Sequence, residues 1–308
     1  MAVQGASGVA KDLAKMSAKS AVRLLAPQTE GALFRWVAAL TGSKNAIKGL
    51  GFFLGAALLA LAGFRPAVLG MAGLLTLIAL AVALALPPGL PGRIRGADRW
   101  GDWRASSARV TRLSLARMFL FGARDTWFVV GIPVYFQAVL SDGTPDGRRE
   151  AFFLIGGFLA LWIIAYGAVQ SAAPRLLGRR DQSEAAITRK AIGWAGALVP
   201  IPLALAAAVA LADGPSPGLS ALLLAGLLLF GFVFALNSSV HSYLILAFGA
   251  EGRITRDVGF YYMANAAGRL IGTLLSGLSY QAGGLALCLA TAGAMAAASW
   301  IAARRLAP

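Results

Sequence analysis

From Ala46 to Ala303 the chain is a succession of apolar runs, each about as long as a bilayer's hydrocarbon core is thick. A spanning helix needs about 20 mostly apolar residues. Eight such runs follow one another: 46–64, 67–86, 113–140, 151–173, 191–212, 219–248, 258–283 and 284–303. Helix breakers separate them: Arg65-Pro66, Pro87-Pro88, Ser141 to Pro145 and Asp213 to Gly218. Gly283-Gly284 divides the last two. Such a chain expects lipid as its solvent, and composition agrees. Apolar residues make up 58%, charged residues 13%, and the mean hydropathy is +0.71. A soluble domain is about 45–50% apolar and about 25% charged. Disorder, a disulfide scaffold and a cytosolic enzyme fold are excluded. The single Cys, Cys288, forms no internal disulfide, and the single His, His241, builds no metal cluster.

A net charge of +15 would suggest a nucleic-acid partner in a soluble protein. Here the basic residues crowd the loops between apolar runs. With loops assigned alternately to two sides, one side holds 22 of the 28 Lys and Arg, the other only Arg65, Arg148 and Arg149. The remaining Arg117, Arg124 and Arg269 lie inside spans. Positive-inside bias places both termini in the cytoplasm, and an even number of spans requires them to share a side. The reading is an all-α, multi-pass protein of the plasma (inner) membrane, with the lipid bilayer and no nucleic acid as partner. No apolar signal segment opens the chain. Lys11, Lys15, Lys19 and Arg23 recur every four residues, the pattern of a basic helix stripe. Such a stripe can lie on anionic headgroups or attract an anionic substrate.

The polar stretch 87–112 splits the spans two before and six after. Five strings carry a family resemblance: SGVAKDLAKMSAKS at 7–20, TGSKNAIKG at 41–49, FGARDTWF at 121–128, NSSVHSY at 237–243 and GFYYMANAAGRLIGTLLSG at 259–277. Together they resemble the organoarsenical efflux transporters of the major facilitator superfamily (the ArsJ type). The similarity runs from about residue 5 to the end. A general superfamily signature, RLLGRR at 175–180, is present only in degraded form. The resemblance implies two six-span halves rocking about a midplane site. On that plan residues 1–45 hold the end of a missing span and a basic cytoplasmic loop. Residues 46–86 are the last two spans of the first half, 87–112 the inter-half linker, and 113–308 the complete six-span second half. About 100 residues would be absent from the start, which predicts a chain that does not transport alone. The resemblance also implies a substrate, 1-arseno-3-phosphoglycerate. This unstable arsenate ester forms when glyceraldehyde-3-phosphate dehydrogenase uses arsenate in place of phosphate. Arsenate resistance and a functional link to that enzyme follow from the same resemblance.

The polar residues inside the spans agree in type with a small anionic substrate. An Arg near mid-span costs roughly 2.5–3.5 kcal/mol on insertion scales, so each asks for a reason. Arg117, Arg124 and Arg269 face one acidic residue well inside a span, Asp125. Arg117 and Arg124, seven apart, share a helix face. Arg117 can snorkel toward the cytoplasmic headgroups or bind substrate. Arg124 and Asp125 point about 100° apart and need not pair with each other. Either can bridge to a neighbouring helix, or Arg124 clamps substrate while Asp125 orients it or takes a coupling proton. Tyr261, Asn265 and Arg269 form a polar stripe at intervals of four, which lines a cavity or bonds another helix. Gly268, Gly272 and Ser276 make a small-residue row beside it that admits close helix approach. Asn237 and His241 form a further polar pair, with His241 structural or a proton carrier. Lys44 and Lys48 share a face at the cytoplasmic start of the first span, where they serve topology or meet the entering anion.

Three classes of function compete. The leading one is a proton-driven secondary exporter of a small organic oxyanion, with no cofactor. An exporter of another solute, such as a sugar, sugar phosphate or drug, is the alternative, together with an inactive fragment. An integral-membrane enzyme would need paired carboxylates, a His cluster or a nucleophile–base set, and one His with one intramembrane Asp does not supply them. No phosphate-binding Gly-rich loop appears, which excludes ATP drive within the chain.

Overall fold

A computed structural model describes residues 2–27, 29, 31–85, 107–178, 183–249 and 253–306. They form ten helices with no strand among the described residues: α1 (Ala2–Leu25), α2 (Ala32–Ala62), α3 (Phe64–Ala85), α4 (Ala108–Phe128), α5 (Gly131–Leu140), α6 (Pro145–Leu176), α7 (Glu184–Leu198), α8 (Pro200–Leu211), α9 (Pro217–Phe248) and α10 (Ile254–Arg304). Met1, the linker residues 87–106 and Arg179-Arg180 lie outside the described residues.

Local chemistry sets the starts of these helices. Ser107, Ser183 and Ser216 each accept the backbone N–H three residues on, at 3.2, 3.3 and 3.1 Å. Pro145 and Pro217 occupy first-turn positions, where a missing N–H costs nothing. Before α6, Thr144 Oγ1 accepts from Gly147 N, and Asp142 Oδ1 accepts from Thr144 N and Oγ1. The Thr144 hydroxyl, and then its N–H, hold the exposed Asp142 carboxyl below its ordinary range.

Two expected spans are each built from two helices. In 113–140 the ladder breaks at Val129-Val130, between α4 and α5, and the freed Val130 N–H donates to Ser276 Oγ at 3.2 Å. In 191–212 it breaks at Val199, ahead of Pro200, whose ring and missing N–H interrupt a helix.

The long α10 folds back on itself. Gly283 and Gly284 leave helical geometry, and Gly284 takes φ 60°, ψ −154°, a region essentially reserved for glycine. Cys288 Sγ then donates to Ser276 O at 3.3 Å. Residues twelve apart in one continuous helix would stand ~18 Å apart. Ser299 Oγ reaches Ala116 O at 2.8 Å, and Gly268 lies against the Met118 backbone. So residues 268 and 299, equally far from the bend, meet α4 at one level. The two limbs are antiparallel and hold α4 between them.

Among the described residues five helical stretches are long and apolar enough to cross a membrane: Phe64–Ala85, Pro145–Leu176, Glu184–Leu211, Pro217–Phe248 and Ile254–Arg304. The protein is an all-α chain of membrane-spanning character. Burial differs sharply among these helices. In α3 only Ala67 is buried, whereas α9 is enclosed by α4, α6, α7 and α8. Edge-to-face rings seal the centre, with Phe121 on Phe234 at 5.1 Å and Trp127 on Phe230 at 5.2 Å.

Candidate functional site

The polar residues of the spans converge where α4, α9 and α10 meet, and small residues make that meeting close. Gly268 and Gly272 bring the first limb of α10 onto the backbone of α4 at Met118 and Gly122. Arg117 of α4 is thereby buried, 5% exposed. Its Nε donates to Asn265 Oδ1 at 3.2 Å, and its Nη1 to Ser238 O at 3.1 Å and Ser238 Oγ at 2.9 Å. The guanidinium lies over the Phe121 ring at 4.0 Å and the Tyr261 ring at 5.1 Å. Ser238 gathers further donors from α6, with Gln170 Nε2 at 3.0 Å and the Tyr166 hydroxyl at 3.3 Å. Gln170 in turn accepts from Asn45 Nδ2 of α2. One polar chain thus runs from α2 through α6 and α9 to α4 and α10.

Two turns further along α4 sits a second set. Asp125, 1% exposed, receives Arg124 Nε at 2.6 Å on Oδ1 and Arg269 Nε at 3.0 Å on Oδ2. A single carboxylate therefore serves two guanidinium groups. Adjacent residues on a helix diverge, yet Arg124 and Asp125 do pair, because the long Arg side chain wraps back to its neighbour. The Arg124 guanidinium also rests on Phe121 at 4.8 Å and Phe234 at 5.4 Å. Arg269 keeps half its side chain exposed. Lys48 is exposed, and the charges of Arg269, Arg124 and Asp125 act on it.

The remaining expected residues lie beside Arg117. Asn237 and His241 are wholly buried, and neither the amide nor either ring nitrogen has a hydrogen-bond partner among the described residues. The same holds for the hydroxyls of Tyr261, Ser242 and Ser114. The Tyr261 hydroxyl sits beside Ser242 without reaching hydrogen-bond geometry. An unsatisfied buried polar group costs about 1–3 kcal/mol, so this cluster is unusual for a structural interior. Lys44 places its ammonium 5.8 Å from the centre of the Tyr262 ring.

Sequence reasoning missed three contributors. Gln170 and Ser238 are polar residues in apolar runs, a signal that was there to be weighed. Lys19 belongs to the basic stripe read as facing headgroups or a substrate, and only the tertiary arrangement shows it 2% exposed. Its Nζ stands 5.4 Å from the centres of both the Tyr261 and Tyr262 rings.

A scan against protein-family models finds no match, and a search of curated proteins finds none.

Proposed function

We propose that the chain is part of a secondary carrier that exports a small organic oxyanion across the plasma membrane, with 1-arseno-3-phosphoglycerate as the substrate its family resemblance favours. The observation that carries this reading is the pairing of Arg124 and Arg269 with one interior carboxylate, Asp125, two turns along α4 from the buried Arg117. Guanidinium groups bind phosphate-like and carboxylate oxygens in a forked geometry that a point charge does not match. Asp125 pairs with both Arg124 and Arg269 and balances one of their two charges. An arriving oxyanion takes the half-exposed Arg269, and a proton on Asp125 Oδ2 offsets the carboxylate's lost partner. That exchange couples anion movement to proton movement, with His241 as a second proton-bearing candidate.

The fold proposed with it is the major facilitator plan, with eight passes in this chain. They are α2, α3, the α4–α5 pair, α6, the α7–α8 pair, α9 and the two limbs of α10. Both termini lie in the cytoplasm, so the 142–148 and 213–218 loops face outward. Single cysteines at Asp146 and Ser216, placed in a Cys288→Ala background, should react with an impermeant thiol reagent in intact cells. Protection at either position would overturn the pass count.

Transport is tested in everted vesicles from cells making the protein. Glyceraldehyde-3-phosphate dehydrogenase, its substrates and arsenate supply the ester at the former cytoplasmic face. Losing one charge from a desolvated pair costs about 2–5 kcal/mol. At about 1.4 kcal/mol per decade this weakens binding roughly 30- to 4,000-fold. Arg269→Gln and Arg124→Gln should each abolish uptake while leaving the protein inserted. Lys at either position should restore only part, and Arg304→Gln should transport normally. Normal uptake by both Gln variants would make these groups structural and remove the site assignment.

A further inference from the structure

The six cations near the site divide into two sets with different electrostatic states. Arg124 and Arg269 share Asp125, and Lys48 feels that carboxylate as well. Lys19, Lys44 and Arg117 have no carboxylate bonded to them among the described residues, and of these three Lys44 also feels the charge of Asp12 on α1. Arg117 spends its hydrogen bonds on neutral oxygens of Asn265 and Ser238. Among the described residues, the contacts of the Lys19 ammonium are the faces of Tyr261 and Tyr262. The charges of Arg117 and Lys44 both act on it. Burying an ammonium among like charges is unfavourable, and two cation–π contacts do not supply the negative charge it lacks. A fold keeps such an arrangement when something else supplies the missing negative charge.

We propose that Lys19, Lys44, Arg117 and the unpartnered Tyr261 hydroxyl form a subsite for a doubly charged oxyanion head of the phosphoryl type. This inference rests on the oxyanion-carrier reading and assigns one end of its substrate. Three cations from three helices converge on two tyrosine rings, which form an aromatic floor between them. The Tyr261 hydroxyl supplies a neutral donor that meets no acceptor in hydrogen-bond geometry among the described residues. Lys44 is exposed and gives the anion a first contact from solvent. Lys19 sits on a flexible four-carbon stem and can withdraw as the anion enters. Helix α1 holds it in place lightly: Met16 packs at Gly259, and Thr255 Oγ1 meets Ser20 Oγ at 3.3 Å. The basic stripe of α1 therefore turns one lysine inward, onto the substrate path. Arg117 and Arg124 are two turns apart on α4, so this subsite lies ~10 Å along the helix from the Asp125 set.

The test is titration calorimetry on the protein in nanodiscs, with 3-phosphoglycerate and glycerate as probes and melting temperature as a second readout. Lys19→Gln should weaken 3-phosphoglycerate binding by at least ~30-fold, the effect of losing one charge from a desolvated pair. It should leave glycerate affinity unchanged. Its melting temperature without ligand should hold or rise, because an uncompensated cation has been removed. Lys19→Arg should bind normally. Should Lys19→Gln fail to fold, Lys44→Gln, at an exposed position, is expected to show the same selective loss. Wild-type 3-phosphoglycerate affinity in Lys19→Gln, or an equal loss for glycerate, overturns the subsite and leaves the carrier reading standing. Failure of the parent protein to bind either probe overturns both.

Discussion

Gly268→Leu should prevent α4 and α10 from assembling and leave little folded protein in the membrane. A Cβ at Gly268 would fall on the Met118 carbonyl oxygen, with the Met118 carbonyl carbon and Cα at 2.7 and 2.9 Å. One turn on, a Cβ at Gly272 would meet Gly122 O at 2.5 Å and Gly122 Cα at 2.9 Å. These obstacles are backbone, so no side chain can rotate away, and the two helix axes must separate. Overpacking a core costs about 1–3 kcal/mol, occasionally more, and backbone obstruction belongs at the top of that range. The consequence extends beyond stability. Asn265 and Arg269 are held opposite Arg117 and Asp125 by this same contact, so separating the helices also breaks those hydrogen bonds. Gly277→Ala is the matched control, since nothing lies within 4 Å of its would-be Cβ. It should be neutral or stabilising by up to ~1 kcal/mol, the helical preference of Ala over Gly. Size-exclusion profiles and melting curves of the solubilised proteins distinguish the two. A Gly268→Leu variant that elutes and melts like the parent would mean that α4 and α10 do not touch there.

Asp125→Asn should be the most damaging charge substitution in the protein. The carboxylate is buried and serves both Arg124 and Arg269. Removing one partner of a buried ion pair costs about 3–5 kcal/mol, because the other charge stays behind unpaired. The lower end applies here, since Arg269 is half exposed and retains part of its hydration. Transport should be lost as well, because the proton-accepting group is gone. The double variant Asp125→Asn/Arg124→Gln should regain part of the stability, for neighbouring charges couple rather than add. Added 3-phosphoglycerate should also raise the melting temperature of the single variant, by supplying a substitute anion. Parent-like stability of Asp125→Asn would show that the two guanidinium groups need no counter-charge.

Much of the fold is legible in the residue order, and each success has a local cause. The break before α9 is written in Pro215, Ser216 and Pro217, which combine a stop, a cap and a first-turn proline. The reversal inside α10 is written in Gly283-Gly284, where a left-handed backbone needs glycine. The small row Gly268, Gly272 and Ser276 announces a close helix partner, and α4 is that partner. What hydropathy does not reveal is where a span is jointed. The break at Val129-Val130 is prepared by Gly131 and Pro133, the latter with no N–H for the Val129 carbonyl, and it depends on Ser276 of a distant helix to satisfy the freed Val130 N–H. The site shows the same division. Arg117, Arg124, Asp125, Asn265 and Arg269 stand out as costly groups in apolar runs. Their pairing depends on tertiary geometry, which places Asn265 on Arg117 and Arg269 on Asp125. Lys19 is the clearest case. On its own helix it is one lysine of a regular basic stripe, and its burial is decided by Tyr261 and Tyr262, more than 240 positions away.

The doubled-back α10 has a mechanical consequence for α4. Both limbs touch α4 at the same height: Gly268 beside Met118 on one side, Ser299 bonded to Ala116 on the other. The helix bearing Arg117, Arg124 and Asp125 is thus clasped by a single folded strap. When the strap tilts, the charges tilt with it, and their spacing along α4 is preserved. Bending is left to the joint at Val129-Val130, where the Ser276 tether ties α5 to the same strap. A charge on α4 that gains or loses its partner therefore acts directly on the strap that holds it, with no lever in between.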